Sequence, residues 1–114
     1  DRATYAAGLP WVMGAAVGTS GQWASFDALR RDGCYHCLMR EPDASETRGC
    51  AELGILGPVV GLVALHQSLL VIRHLVGAGL PTGGLHMLDA WTGEIRQLGL
   101  VVYEDCTLCQ APDR

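Results

Sequence analysis

Residues 33–58, GCYHCLMREPDASETRGCAELGILGP, contain the features that decide the fold. The stretch begins with Cys34 and Cys37, and a second pair with the same spacing, Cys106 and Cys109, lies near the other end of the 114-residue chain. A C-x-x-C turn holds two thiolates on one side of a metal ion, and two such turns complete a tetrahedral zinc site with no open position. We therefore predict that a structural zinc ion joins these two distant segments.

Other uses of the four cysteines remain open on the sequence alone. Each pair is compatible with a local disulfide, and a C-x-x-C at the start of a helix is a redox motif of thioredoxin-like proteins. Pro42 disfavours a helix after the first pair, and the total of five cysteines is odd, so full pairing would leave one thiol over. His36 lies inside the first pair, but four thiolates already fill a tetrahedron, so we predict that His36 is an exposed loop residue.

Cys50 stands alone in the same stretch, behind a charged segment. A nucleophilic cysteine needs its thiolate form, which a positive neighbour or a helix N-terminus favours. Arg48 and the helix that follows favour the thiolate, whereas Glu52 opposes it. On these residues alone, a structural cysteine and a catalytic cysteine both remain open.

The hydrophobic pattern predicts a small antiparallel sheet with one long helix packed against it, an α+β arrangement. Apolar runs bounded by glycine and proline indicate strands, and a short WTG turn joins the last two as a hairpin. The first run has no polar alternation, which is typical of a strand covered on both faces. The predicted elements are a helix end at 4–7, strands at 11–18, 21–29, 85–90 and 94–102, a flexible loop at 38–50 and a helix at 55–76.

The helix predicted at 55–76 is long enough to cross a bilayer, which takes about 20 apolar residues. It contains His66, Arg73 and His74, however, and ionisable groups inside a membrane are strongly unfavourable. We therefore expect this helix to pack on the sheet, with no membrane partner. Neither these two histidines nor His86 has a second ligand at helical spacing, so we do not expect them to bind metal.

Length and composition indicate one small domain over residues 1–114. Eight arginines, no lysine and 12 acidic residues give a net charge of −4, and without a basic cluster to neutralise phosphates we expect no nucleic-acid partner. The chain lacks an initiator methionine and a signal-peptide pattern, and it looks like a segment of a longer protein. Metal-bound thiolates fit a reducing compartment, so we predict a cytoplasmic location.

Several stretches match one larger pattern: GLPWVMGAAVGTSGQ, GCYHCL, CAELGILGPVVGLVALHQSLLVIRHLVG, LHMLDAWTGEIRQLGL and CTLC. They include both C-x-x-C pairs, a C-x-E-x-G entry to the long helix, Gln67 within that helix, and the Leu88-Asp89-Ala90 strand. Together they resemble the C-terminal half of the ThiF/MoeB/HesA family, which is related to the ubiquitin-activating enzymes. The resemblance implies the second half of a Rossmann-like α/β fold.

The resemblance also implies an activity. Such enzymes use MgATP to adenylate the C-terminal Gly-Gly of a ubiquitin-like sulfur carrier of the ThiS or MoaD type, for thiamine or molybdopterin synthesis. The resemblance makes the paired cysteines zinc ligands. It aligns Cys50 with a cysteine that attacks the activated carrier or takes part in sulfur transfer in some members and is dispensable in others. The family's ATP site uses a G-x-G-x-x-G loop upstream of the matched stretches, and no such loop occurs in these 114 residues. We therefore expect this chain to be inactive alone.

Two observations favour a different outcome, a non-catalytic dimerisation or interaction module derived from that family. The family's long helix has alanine, glutamate and lysine where this chain has Ser68, Leu70 and Arg73. Without a nucleotide-binding half, the strand at 11–18 and one helix face would expose apolar surface, which proteins rarely leave bare. In either case we expect a homodimer.

Overall fold

The computed structural model describes residues 1–40 and 54–110, which contain a four-stranded antiparallel sheet and three helices. The helices are α1 (Arg2–Ala7), α2 (Tyr35–Arg40) and α3 (Gly57–Leu75), and the strands are β1 (Trp11–Val17), β2 (Ser20–Phe26), β3 (Gly84–Asp89) and β4 (Glu94–Gly99). The order across the sheet is β1-β2-β3-β4. The predicted antiparallel α+β arrangement is therefore confirmed for the described residues.

Short turns fix the register of the two hairpins. Gly18, between β1 and β2, has a φ of 60°, in the left-handed region that favours glycine. Between β3 and β4, the Asp89 carboxylate accepts hydrogen bonds from the N–H groups of Trp91 and Thr92, at 3.0 and 3.3 Å. An aspartate that binds the backbone ahead of it stabilises this kind of turn. The predicted WTG hairpin is present.

Each face of the sheet carries its own cluster of buried apolar side chains, because side chains alternate between the two faces along each strand. The cluster beneath α3, which we call the helix-side cluster, consists of Trp23, Val59, Val63, Leu70 and Leu88. The cluster on the opposite face consists of Met13, Ala24, Phe26, Leu38 and Leu85. Both faces of β1 therefore contact other parts of the chain, as its apolar sequence indicates.

The long helix α3 packs closely on β1 and β2 because glycines lie beneath it. A Cβ on Gly21 would come within 2.5 Å of the Val63 Cγ2 atom, and a Cβ on Gly14 would overlap the side chain of Gln67. Pro58 stands in the first turn of α3, where a missing N–H breaks no helical hydrogen bond. The predicted packing of this helix on the sheet is present.

Within residues 1–40 and 54–110, no element packs against the outer face of α3. Judged by length and composition alone, this helix is long and apolar enough to cross a membrane. Of the 18-residue apolar stretch that meets this criterion, 17% is buried within the described chain. Core helices of soluble proteins meet the same criterion. The side chains that remain exposed on and just after α3 include Val60, Leu65, Leu69, Ile72, Leu75 and Val76.

Three element boundaries differ from the sequence prediction by three residues, and the first of these is the end of β2, at Phe26 instead of residue 29. Residues 38–40, predicted to begin a loop, complete α2, because Cys37 and Leu38 are buried and the Leu38 N–H donates to the Cys34 carbonyl oxygen at 3.0 Å. The remainder of that predicted loop lies outside the described residues, as does Cys50. The last strand ends at Gly99 instead of 102, and Leu100 packs against the cluster opposite α3.

Candidate metal centre

Four cysteine side chains from two distant segments converge beside α2. Their Sγ atoms are 3.9 Å apart for Cys34 and Cys37, 3.6 Å for Cys34 and Cys106, and 3.6 Å for Cys37 and Cys109. All four sulfurs lie within 4.8 Å of one another, and each residue is a free thiol with 0–5% of its surface exposed. The two C-x-x-C pairs therefore meet, as their spacing predicts.

The sulfur positions fit a tetrahedral ion. A zinc–sulfur bond of about 2.3 Å gives a tetrahedron whose edge, the distance between two sulfurs, is about 3.8 Å. The three observed distances of 3.6 to 3.9 Å are close to that edge. The cluster can therefore hold a metal ion with four thiolate ligands and no open position.

The first cysteine pair is positioned by the start of α2. Cys34 precedes this helix, and its carbonyl oxygen accepts the Leu38 N–H, which places Cys37 one turn further on. The N–H of His36 donates to Asp1 Oδ2 at 3.1 Å, so the first residue of the chain holds the start of α2 in place. Both thiols of the pair point to the same side as a result.

The second cysteine pair lies in a turn that follows β4. The Cys106 N–H donates to the Tyr103 carbonyl oxygen at 3.0 Å and begins this turn. The Gln110 side-chain amide donates to Cys109 Sγ at 3.7 Å and to the Arg31 carbonyl oxygen at 3.4 Å. A donor to a ligating sulfur helps to orient it.

The charges in the cluster favour a bound cation. Burial raises the pKa of Cys34 far above its usual range and raises that of Cys109 to about 11. Burial also raises the pKa of Cys106, but hydrogen bonds from the backbone N–H groups of Cys109 and Leu108 outweigh it and lower the pKa to about 6. Burial therefore disfavours the thiolate forms of Cys34 and Cys109, and a divalent ion that deprotonates its ligands supplies the charge that compensates them.

Arg40, at the end of α2, connects this helix to the segment of the second pair. Its guanidinium lies 4.0 Å from the centre of the Tyr103 ring and donates to Asp105 Oδ1 at 2.9 Å. That hydrogen bond lowers the pKa of the Asp105 carboxyl group. Because both members of the ion pair are exposed, its contribution to stability is small.

On the α3 side of the sheet, two histidine rings stack with a tryptophan ring. Trp23 is 3% exposed, with the His66 ring stacked 4.0 Å away and the His86 ring 5.6 Å away. Burial, and then the proximity of His66, lowers the pKa of His86, whose Nδ1 is buried with no hydrogen-bond partner among the described residues. These histidines contribute to packing, as the sequence indicates.

A model of the ThiF family matches residues 1–109. The chain belongs to the ThiF family. It is 35% identical over 110 residues to the sulfur carrier protein ThiS adenylyltransferase of Escherichia coli K12, and 33% identical over 106 residues to the molybdopterin-synthase adenylyltransferase of the same organism. These alignments cover 96% and 92% of this chain, and 43% and 42% of the two relatives.

A eukaryotic relative gives a similar result. The ThiF-family chain is 35% identical over 111 residues to the adenylyltransferase and sulfurtransferase MOCS3 of Xenopus laevis, covering 93% of this chain and 24% of the relative. The chain therefore spans less than half the length of the curated relatives that it matches. The predicted resemblance to this family is confirmed.

Two residues beside the cluster were not predicted from the sequence. Tyr5 packs against the cysteines, and its hydroxyl is buried with no hydrogen-bond partner among the described residues. Asp1 contacts His36, whose imidazole Nδ1 lies 3.0 Å from Asp1 Oδ2. Their positions depend on contacts between segments more than 25 residues apart in sequence, which no local pattern reveals.

Proposed function

We propose that this chain is the zinc-binding portion of an enzyme that uses MgATP to adenylate the C-terminus of a ubiquitin-like sulfur carrier. The observation that carries the proposal is a cluster of four cysteines, whose Sγ atoms lie within 4.8 Å of one another, in a chain that matches the ThiF family over residues 1–109. The E. coli relative is named for adenylating ThiS. The proposal includes one domain over residues 1–114, the second half of a Rossmann-like fold, and a reducing cytoplasmic location.

The zinc ion has a structural role in this proposal. When bound, it supplies a closed cross-link with four thiolates and no position for substrate. Cys34 and Cys37 hold one side of the ion at the start of α2, and Cys106 and Cys109 hold the other side after β4. The C-terminal segment is thereby fixed to the start of α2.

Metal analysis tests the zinc assignment. We expect the purified chain to contain one equivalent of zinc by elemental mass spectrometry, with four thiols that react only after a chelator is added. Cys37→Ser and Cys109→Ser should each lose the ion and unfold more easily, because the site is then incomplete. Cys50→Ser is the matched control and should keep its zinc. A folded wild-type chain without bound metal would contradict the assignment.

Reconstitution tests the activity. The chain alone should release no pyrophosphate from ATP, because the proposal places the ATP site in another part of the enzyme. With that part supplied, addition of a ThiS- or MoaD-like carrier ending in Gly-Gly should start pyrophosphate release. Titration calorimetry should also show carrier binding. Absence of binding with both parts present would rule out the proposed partner.

We assign Cys50 as the nucleophile that acts on the activated carrier. Its thiolate attacks the carbonyl carbon of the acyl-adenylate, the bond to the phosphate oxygen breaks, AMP leaves, and a thioester forms. Cys50→Ser should abolish the thioester seen on a non-reducing gel while pyrophosphate release continues. A variant that still forms this adduct would show that Cys50 is not the nucleophile.

A second candidate function, a non-catalytic dimerisation module, is favoured by the outer face of α3, which the described part of the chain leaves uncovered. Leu65, Leu69 and Ile72 are exposed on this helix, and contiguous apolar patches mark interaction sites. We propose a homodimer formed through this face. Light scattering after size-exclusion chromatography should report twice the chain mass, and Leu69→Glu should give a monomer. A monomeric wild-type chain would contradict this interface.

A further inference from the structure

We propose that Asp1, Cys34 and His36 form an entry site through which the metal ion reaches the four-cysteine cluster. The ligand atoms of these three residues lie within 4.8 Å of one another. The inference rests on the metal site assigned under the proposed function, and it adds a route by which that site is filled.

A metal ion in solvent needs such a route because the four-cysteine cluster is buried. The four cysteines of the cluster are 0–5% exposed, so an ion in water cannot meet four sulfurs at once. The His36 side chain is 43% exposed and lies against Asp1, whose side chain is 5% exposed. Cys34 belongs to both ligand sets. These three residues therefore lead from the surface to the buried cluster.

One carboxylate oxygen of Asp1 is available as a metal ligand at the entry site. Its Oδ2 atom accepts from the His36 backbone N–H at 3.1 Å and lies 3.0 Å from His36 Nδ1, while its Oδ1 atom is buried with no hydrogen-bond partner among the described residues. A buried acceptor without a partner is unfavourable, and a cation would satisfy it.

The transfer from the entry site to the cluster is energetically downhill. The entry site offers one nitrogen, one oxygen and one sulfur, which leaves a position of the ion open. The cluster offers four thiolates, which are the softer ligands and close the coordination sphere. Since Cys34 is shared, the ion keeps one bond while it exchanges the other ligands.

The alternative is that the Asp1–His36 pair only fixes the start of α2. The two roles have different kinetics. Residues on the path of the ion change the rates of loading and release by the same factor and leave Kd unchanged. A purely structural pair stabilises the loaded cluster, so its removal weakens affinity through faster release.

The test compares the full chain with His36→Gln and Asp1→Asn. Cobalt loading of the metal-free protein is followed by stopped-flow absorption of the thiolate–cobalt band, release is followed in excess chelator, and Kd is measured by competition. We expect each variant to load and release cobalt more slowly, both rates by the same factor, with Kd unchanged. His74→Gln alters an exposed histidine on α3 and should match the wild type.

Loading at the wild-type rate, or weaker affinity through faster release alone, would overturn the proposal. If the metal-free chain unfolds, exchange of bound zinc for cadmium in the folded protein, followed by mass spectrometry, replaces the loading experiment. Slower exchange in both variants supports the entry site, and equal exchange excludes it. A wild-type chain that binds no metal would overturn the metal site itself, which is a different result from equal loading.

Discussion

His86 shows how one buried side chain makes stability depend on pH. It lies on the α3 side of the sheet near Trp23 and His66, and burial lowers its pKa. A histidine of this kind binds protons more readily in the unfolded chain than in the folded one. Its contribution is therefore fully present above the unfolded pKa of about 6.5 and is lost as the pH falls through that value toward the lower folded pKa.

We expect His86→Gln to reduce the pH dependence of the free energy of unfolding. Urea unfolding at about pH 7.5 and about pH 5.5 should show a smaller loss of stability in the variant than in the wild type. The cysteines also bind protons on acidification, but they contribute to both proteins and cancel in the comparison. His74→Gln should keep the wild-type dependence, and an unchanged dependence in His86→Gln would refute the role of this residue.

The contacts of a single residue can be predicted from the sequence only where its partners lie at a characteristic spacing along the chain. The four cysteines could be predicted because a C-x-x-C spacing is itself the geometry of half a site. The contact of Asp32 could not be predicted, because its carboxylate accepts a hydrogen bond, at 2.5 Å, from the hydroxyl of Thr82, which lies 50 residues away in the sequence. Asp1 and His36 likewise meet only in the folded chain.

At the scale of elements, the contact between α3 and β2 depends on a residue without a side chain. Gly21→Ala should lower the free energy of unfolding by about 1–3 kcal/mol, because the new methyl group overlaps Val63 and the helix must move outward. Gly61→Ala is the matched control. Among the described residues, no atom outside the adjacent backbone of α3 lies within 4 Å of the added methyl group, so this substitution should raise stability by about 0.5–1 kcal/mol through helix propensity.

A double variant identifies the cause of that destabilisation. Val63→Ala removes the methyl groups that oppose Gly21, so the cost of combining the two substitutions should be less than the sum of the single costs. Chemical denaturation of the two single variants and the double variant measures this difference. Strictly additive costs would show that Gly21 acts through some other contact.

Element types were easier to predict than element ends. Strands and the long helix follow from runs and periods of apolar residues, and each appears within a few residues of its predicted position. The helix α2 was not predicted, because six residues carry too little periodicity and Pro42 follows closely. Burial of Cys37 and Leu38, a tertiary effect, decides that segment.

At the scale of the whole molecule, the metal cluster and the helix-side cluster are separate. Removal of the proposed ion by a chelator should therefore loosen one end of the chain selectively. We expect hydrogen exchange, measured by mass spectrometry, to accelerate in α2 and residues 103–110, and in α1, whose Tyr5 packs on the cysteines. Amides in β2 and the sheet-facing turns of α3 should stay protected. Equal acceleration throughout would show that the two clusters unfold together.

The placement of the three tryptophans gives the protein built-in optical probes. Trp91, at the hairpin tip, is 81% exposed, so its fluorescence should be strongly quenched by iodide and should dominate the response to solvent. Trp11 stacks on Phe26 opposite α3, and Trp23 lies beneath that helix against His66. In a Trp91→Phe background, emission would come from the two sides of the sheet alone, and a change at one side could be followed without an attached dye.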